Sequence, residues 1–175
     1  MLLAAAHNSE IAAQPGLLSK SNVRNNAQNH YLDFRHWAEL DLYETVEHIV
    51  PDSIPGEGWP ADVYNPSTIR QKLGNATLLP KIENSILGNK DWKFKKKFFL
   101  ALFSGNLSDL NKIIDEFEKD GKSLRKKTKK TLQGGTSLPI LEPITKVEIW
   151  DKKVIEERTN NIASLCWDQV SNWLF

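Results

Sequence analysis

An acid beside a histidine, Glu47-His48, is followed by Pro51 three positions after the histidine, and then by two asparagines, Asn75 and Asn84, nine residues apart. Each of these residue types has a use in hydrolytic chemistry. Histidine titrates near neutrality, so His48 can take a proton from water. The Glu47 carboxylate and the Asn84 amide oxygen are hard oxygen donors. As the only protein ligands they would leave most of a coordination shell to water and other oxygens, a pattern that suits Mg²⁺ or Mn²⁺ rather than structural zinc. Asn75 is suited to holding the histidine loop by hydrogen bonds. Glu47 and His48 are sequence neighbours, so on a strand they face opposite ways unless the strand ends or twists there.

The elements that must position these residues are unevenly legible. Leu42, Tyr43, Val46, Ile49 and Val50 recur at helical spacing, whereas Thr45, Val46, Ile49 and Val50 are β-branched and favour a strand; Pro51 ends either one. The residues alone leave both open. From Asp52 to Gln71 the chain carries Pro55, Gly56, Gly58, Pro60 and Pro66, which predicts a loop with a short helical turn after Pro66. Ala76 to Leu79, opened by Gly74 and closed by Pro80, fits a second strand. A short helix is predicted over Lys81 to Asn89 and another over Asp91 to Phe103, the latter burying Phe98, Phe99, Leu102 and Phe103. Ser108 can cap a further helix before Gly121, residues 122 to 146 read as an extended, partly mobile connection, and Val147 to Trp173 keep a 3.6-residue period. Ahead of these, residues 1 to about 30 are expected to be a loose lead-in or one peripheral helix, and Leu32, Phe34, Trp37 and Leu40 suit a helix over Tyr31 to Leu42.

A chain of 175 residues holds one domain with a sizeable core. Apolar runs such as Phe98–Phe103 fall far short of the roughly 20 residues that span a membrane. The apolar start, Met1 to Ala6, lacks a basic leader and a cleavage site, and the single cysteine, Cys166, excludes an internal disulfide and any cysteine-based zinc cage; a cytoplasmic protein is the simplest expectation. The net charge of +1 hides an asymmetry: seven acids and no Lys or Arg lie between Glu39 and Asp62. The basic residues gather instead in two tracts, one around Lys93, Lys95, Lys96 and Lys97 and one containing Lys126 and Lys127. Such tracts can supply the sequence-independent phosphate term of nucleic-acid binding, or they can be solvated helix faces.

The pattern Val46-Glu47-His48-Ile49-Val50-Pro51, then Leu73-Gly74-Asn75-Ala76-Thr77-Leu78-Leu79, then Asn84-Ser85 and Lys96, resembles the C-terminal HNH (His-Me finger) nuclease domain of GmrSD-type modification-dependent restriction enzymes. Trp150, Ile155, Arg158, Ala163 and Trp167 look like that family's closing helix, so the resemblance covers Tyr43 to the C-terminus. It implies an α+β, mainly α fold in which a ββα-metal finger, about 43–104, is embedded in a helical domain with 105–175 as its C-terminal part. The whole of 31–175 would then be one nuclease domain. It also implies that Thr45 to Val50 is strand. His48 would be the general base, Asn75 the second letter of HNH and part of the catalytic set, and Glu47 and Asn84 the ligands of Mg²⁺ or Mn²⁺. Lys93 and Lys96 would contact DNA phosphates, with Lys126, Lys127 and Arg158 as further nucleic-acid contacts; for Arg158 a buried ion pair competes. The implied activity is cleavage of DNA phosphodiester bonds in restriction of foreign or modified DNA.

Two features depart from the family pattern. Glu47 stands where many HNH nucleases have Asp, one methylene longer. No G-x-x-x-x-G-K-[ST] motif is present, so the nucleotide-hydrolysing domain such enzymes carry is expected as an NTPase or sensor domain or subunit outside this chain, which would be an isolated module or a fragment. Beside the nuclease reading stand a non-catalytic nucleic-acid-binding module on the same scaffold, an RNA-directed nuclease, and a helical interaction protein in which Glu47 and His48 lie on the outer face of a helix. His7, His30 and His36 have no partner pattern. Trp59 and Trp92 are weighed as core residues against substrate contacts, and Cys166 is read as a packed thiol.

Overall fold

The computed structural model describes residues 1–7, 9–20, 43–53, 58–104 and 139–174, together with Ser108, Asn111, Lys112 and Asp115. The helix expected over Tyr31 to Leu42, most of the helix after Ser108, the second basic tract and the side chain of Trp173 lie outside the described residues.

Of the segment whose periodicity was compatible with both states, Thr45–His48 is strand, while Ile49 and Val50, expected to continue it, form a bend ahead of Pro51. β3 (Thr45–His48) pairs antiparallel with β4 (Ala76–Leu79), with Thr45 opposite Leu79 and His48 opposite Ala76. Pairing supplies the backbone partners that an isolated helical turn ending at Pro51 would lack. The connection between the strands is a loop with short 3-10 turns at Ala61–Tyr64, Ser67–Gln71 and Leu73–Asn75, the second of them directly after Pro66. After Pro80 come α2 (Lys81–Leu87) and α3 (Trp92–Ser104). Asp91 starts α3 by accepting the Phe94 N–H through its side chain, at 2.8 Å.

Further along the chain, α4 (Glu142–Thr145) precedes α5 (Lys152–Leu174). Two boundaries differ from the periodicity. The last helix begins at Lys152 rather than near Val147, because Asp151 accepts the Val154 N–H and caps it there; Val147 and Trp150 are buried from the turn ahead of it. Residues 139–145, expected in an extended connection, form a 3-10 turn and α4, since proline is tolerated in a first helical turn and Ile140, Leu141 and Ile144 reach the core.

The first twenty residues are attached to α5. α1 (Leu2–Ala6) is followed by a hairpin of β1 (Ser9–Ile11) and β2 (Leu18–Lys20). The Asn161 side chain takes the Leu18 N–H at 2.9 Å and donates to the Leu18 carbonyl at 2.8 Å, while Leu2 and Ala5 pack with Ile162 and Cys166. A lead-in reading misses this because half of the anchorage is made to backbone atoms.

The main core gathers Ile49, Val50 and Leu79 from the strand pair, Phe98, Phe99 and Leu102 from α3, and Trp150 and Ile155 from the α5 side. Trp92 lies inside it with its ring centroid 5.0 Å from that of Trp150, which makes it a core residue; the Trp59 ring, tilted to that of Trp92, has its centroid 6.3 Å away. The fold is α+β and mainly helical. No helix among the described residues is long and apolar enough to cross a membrane.

Candidate active site

β3 ends at His48, and the chain bends at once through Ile49 and Val50. Asn75 holds that bend. Its Oδ1 accepts the Val50 N–H at 2.8 Å, its Nδ2 donates to the Val50 and Arg70 carbonyls at 2.9 Å each, and its own carbonyl accepts the Ile49 N–H at 2.8 Å. The indole N–H of Trp150 adds a bond to Oδ1 at 3.3 Å. A fully buried amide with these partners replaces the sheet ladder where β3 gives way to loop, and so fixes the backbone that carries His48.

The Asn75 turn is in turn clamped by α5. Arg158, 5% exposed, donates from Nη1 to the Gly74 and Ala76 carbonyls at 2.6 and 2.8 Å and lies over the Trp150 ring at 5.8 Å. Burial pulls its guanidinium down to about 10. Thr159 Oγ1 accepts the Gly74 N–H at 2.9 Å. A Cβ on Gly74 would lie 1.9 Å from the Ile155 carbonyl oxygen, so glycine is what lets the turn touch the helix. Arg158, anticipated as a phosphate contact or in a buried ion pair, makes no ion pair among the described residues; its Nη1 is spent on main-chain carbonyls.

Thr45 and Glu47 share one face of β3, and Val46 and His48 share the other. On the first face α2 supplies Asn84, whose Nδ2 donates to Thr45 Oγ1 at 2.8 Å and to the Val46 carbonyl at 3.1 Å. The Thr45 hydroxyl is already donating to the Leu79 carbonyl, and Val46 offers only an acceptor, so the amide must present its nitrogen to the strand. The Asn84 Oδ1 consequently has no hydrogen-bond partner among the described residues.

From α3, Lys95 reaches the same face. Its Nζ, fully buried, donates to Glu47 Oε1 at 2.5 Å and to the His48 carbonyl at 3.1 Å. Burial pushes the Glu47 carboxyl above the ordinary carboxylate range and the Lys95 ammonium below the ordinary lysine range, and their attraction works against both shifts. Glu47 Oε2 and the His48 imidazole make no hydrogen bond among the described residues.

Glu47 and Asn84 are thus brought to one strand face, with Asn75 beneath the adjacent bend. The strand's alternation starts the His48 side chain on the opposite face. Among the phosphate candidates, Lys93 is exposed and Lys96 is paired with the exposed Glu148 at 2.8 Å, whereas Lys126 and Lys127 lie outside the described residues. The residue that sequence reasoning passed over is Lys95. Its signal was available: it falls in the stripe Trp92, Lys95, Phe98, Phe99 and Leu102, the buried face of α3, where a lysine demands a partner.

The donor set can be tested against a divalent cation. Among the described residues Glu47 Oε2 and Asn84 Oδ1 are hard oxygens without partners, on one strand face, and Lys95 orients the carboxylate as outer partners of metal-bound carboxylates do. They fit such an ion. No group of three or more His, Cys, Asp and Glu side chains gathers among the described residues, so any ion held here would take most of its shell from water or substrate.

A model of the C-terminal domain of GmrSD restriction endonucleases matches residues 10–165. The chain belongs to that family. Comparison with curated proteins returned no match. Membership supports a restriction-type endonuclease role and suggests a DNA substrate and use of a divalent metal.

Proposed function

We propose that the chain is a metal-dependent HNH endonuclease that hydrolyses DNA phosphodiester bonds in the restriction of foreign or modified DNA. The observation that carries this reading is the pair of unpartnered oxygens, Glu47 Oε2 and Asn84 Oδ1, beside a histidine whose backbone is pinned by Asn75 and Lys95. Glu47 and Asn84 would hold Mg²⁺ or Mn²⁺. Such an ion supplies positive charge against the negative charge that builds on phosphate and leaving oxygen.

The remaining work belongs to the chain's own groups. His48 accepts a proton from the attacking water, whose oxygen bonds to phosphorus as the bond to the 3′ oxygen breaks in line; the leaving oxygen takes its proton from solvent. This role requires the imidazole, which strand alternation starts on the opposite face, to turn toward the Glu47 side where β3 gives way to the bend at Ile49 and Val50. Asn75 keeps the bend in one geometry, and Lys95 keeps Glu47 extended from the strand. Lys93, Lys96, Lys126 and Lys127 attract the DNA backbone. The same reading takes 31–175 as one nuclease domain in the cytoplasm, working with an NTPase or sensor domain or subunit.

Purified protein is expected to nick or cut plasmid DNA with Mg²⁺ or Mn²⁺ and to stop with EDTA. His48→Ala should melt like the parent and lose roughly 10²–10⁴-fold in rate. Cutting undiminished in that variant sinks the assignment, and salt-sensitive DNA binding without turnover in the parent selects a binding module instead.

A further inference from the structure

The loop between the two strands contains a second arginine whose surroundings are the reverse of those of Arg158. Arg70 Nε and Nη1 are shielded from solvent and make no hydrogen bond. No other hydrogen bond or ion pair engages the guanidinium among the described residues; its contact is the Tyr64 ring, 5.2 Å from Cζ to centroid. The Tyr64 hydroxyl is also buried without a partner. Among the described residues, the acids of the same loop are used elsewhere: Asp52 accepts from Gln71 Nε2 and Asp62 faces the Lys152 N–H. A cation stripped of water on two nitrogens and left without an acceptor is costly unless an anion completes it.

Its position is tied to the reactive strand. The Arg70 carbonyl accepts from Asn75 Nδ2, the same nitrogen that bonds the Val50 carbonyl two residues after His48. Gln71, next in the chain, is bonded to Asp52 beyond Pro51. The loop that carries Arg70 is therefore held by the amide that shapes the His48 bend.

We propose that Arg70, with its Tyr64 shelf, is a phosphate-binding residue that contacts the DNA backbone beside the reactive strand. A fixed, permanently charged guanidinium suits a phosphate oxygen, and Nη2, which is not among the shielded nitrogens, is the point of contact, with Nε and Nη1 behind it. The ring beneath it fixes the plane without consuming a donor. The proposal rests on the nuclease reading, and its test separates the two.

Binding of a labelled DNA duplex to the full chain is measured by fluorescence anisotropy in EDTA, where nothing is cut, across a salt series. Arg70→Gln is expected to bind several-fold more weakly at low salt and to flatten the slope of log K against log salt by about 0.9, one phosphate's worth. Its melting temperature should stay within a degree or two of the parent's. Arg70→Lys, which keeps the charge but not the planar group held on the Tyr64 ring, should keep the slope while binding more weakly. Affinity and slope unchanged in Arg70→Gln overturn the proposal, as does a large fall in its melting temperature with an unchanged slope, which would make the guanidinium structural. A parent protein that binds no duplex at any salt overturns the nucleic-acid reading itself.

Discussion

Arg158 and Arg70 stand at the two ends of one contrast. Around Arg158 the turn Leu73–Asn75 and helix α5 form a region in which the polar groups have found partners: two carbonyls on Arg158, the Gly74 N–H on Thr159, and the Asn75 amide on Val50, Arg70 and Trp150. In the loop that precedes the turn and in the helix after β4, polar atoms are shielded and left open, among them Trp59 Nε1, Tyr64 Oη, Arg70 Nε and Nη1, and both carboxylate oxygens of Glu83. The first region is built to be stiff. The second carries shielded polar groups at a cost in stability, which for Arg70 the phosphate proposal assigns to binding.

The contrast can be broken by substitution, and the largest effect should come from the bonded side. Lys95→Met leaves the Glu47 carboxylate buried and unpaired, which should cost roughly 3–5 kcal/mol in urea unfolding. Adding Glu47→Gln to it should restore most of that loss; no recovery would mean that the pair is not what stabilises this face. Gly74→Ala forces the turn away from the Ile155 carbonyl and is expected to cost about 3 kcal/mol. Activity should fall with it, because Asn75 moves too. Arg158→Met keeps the apolar stem but orphans the Gly74 and Ala76 carbonyls, at about 1–2 kcal/mol each by the same measurement.

On the open side the sign reverses. Glu83 is fully buried, and burial raises its carboxyl above the ordinary 4.5, with its own backbone N–H pulling it part of the way back. Below 4.5 the carboxyl is protonated in folded and unfolded protein alike, so Glu83→Gln should bring no gain there. As pH rises from 4.5 through the raised folded value, the parent loses stability that the variant keeps, and the variant should melt higher at pH 7, by about 1 kcal/mol. A variant that melts lower at every pH would show that the carboxylate's interactions, its own backbone N–H included, outweigh the cost of its burial.

Much of the unit formed by β3, β4 and α2 was legible in the residues. Glu47-His48 with Pro51, the Gly74-Asn75 pair before an apolar run, and Asn84 three residues into a helix opened by Pro80 carried the family resemblance, and the strand pair and α2 and α3 follow the predicted spans closely. Pro51 and Pro80 are why: proline marks an element boundary through its own covalent geometry. The choice between helix and strand for Thr45–His48 was not legible, since strand pairing is a contact with residues about thirty positions away. Nor was the attachment of residues 1–20, which depends on Asn161 reaching backbone atoms of Leu18.

By itself, then, the order of residues determined which groups are chemically able to act and where the elements that bear them start and stop, because caps, prolines and apolar periods are local properties. Which lysine of the run Lys93 to Lys97 would be buried on Glu47, which arginine would be spent on carbonyls and which left open, and which way the Asn84 amide would turn were decided only by packing. Burial and hydrogen-bond partnership are properties of neighbours in space, and one lysine or arginine is like another until the tertiary fold chooses its neighbours.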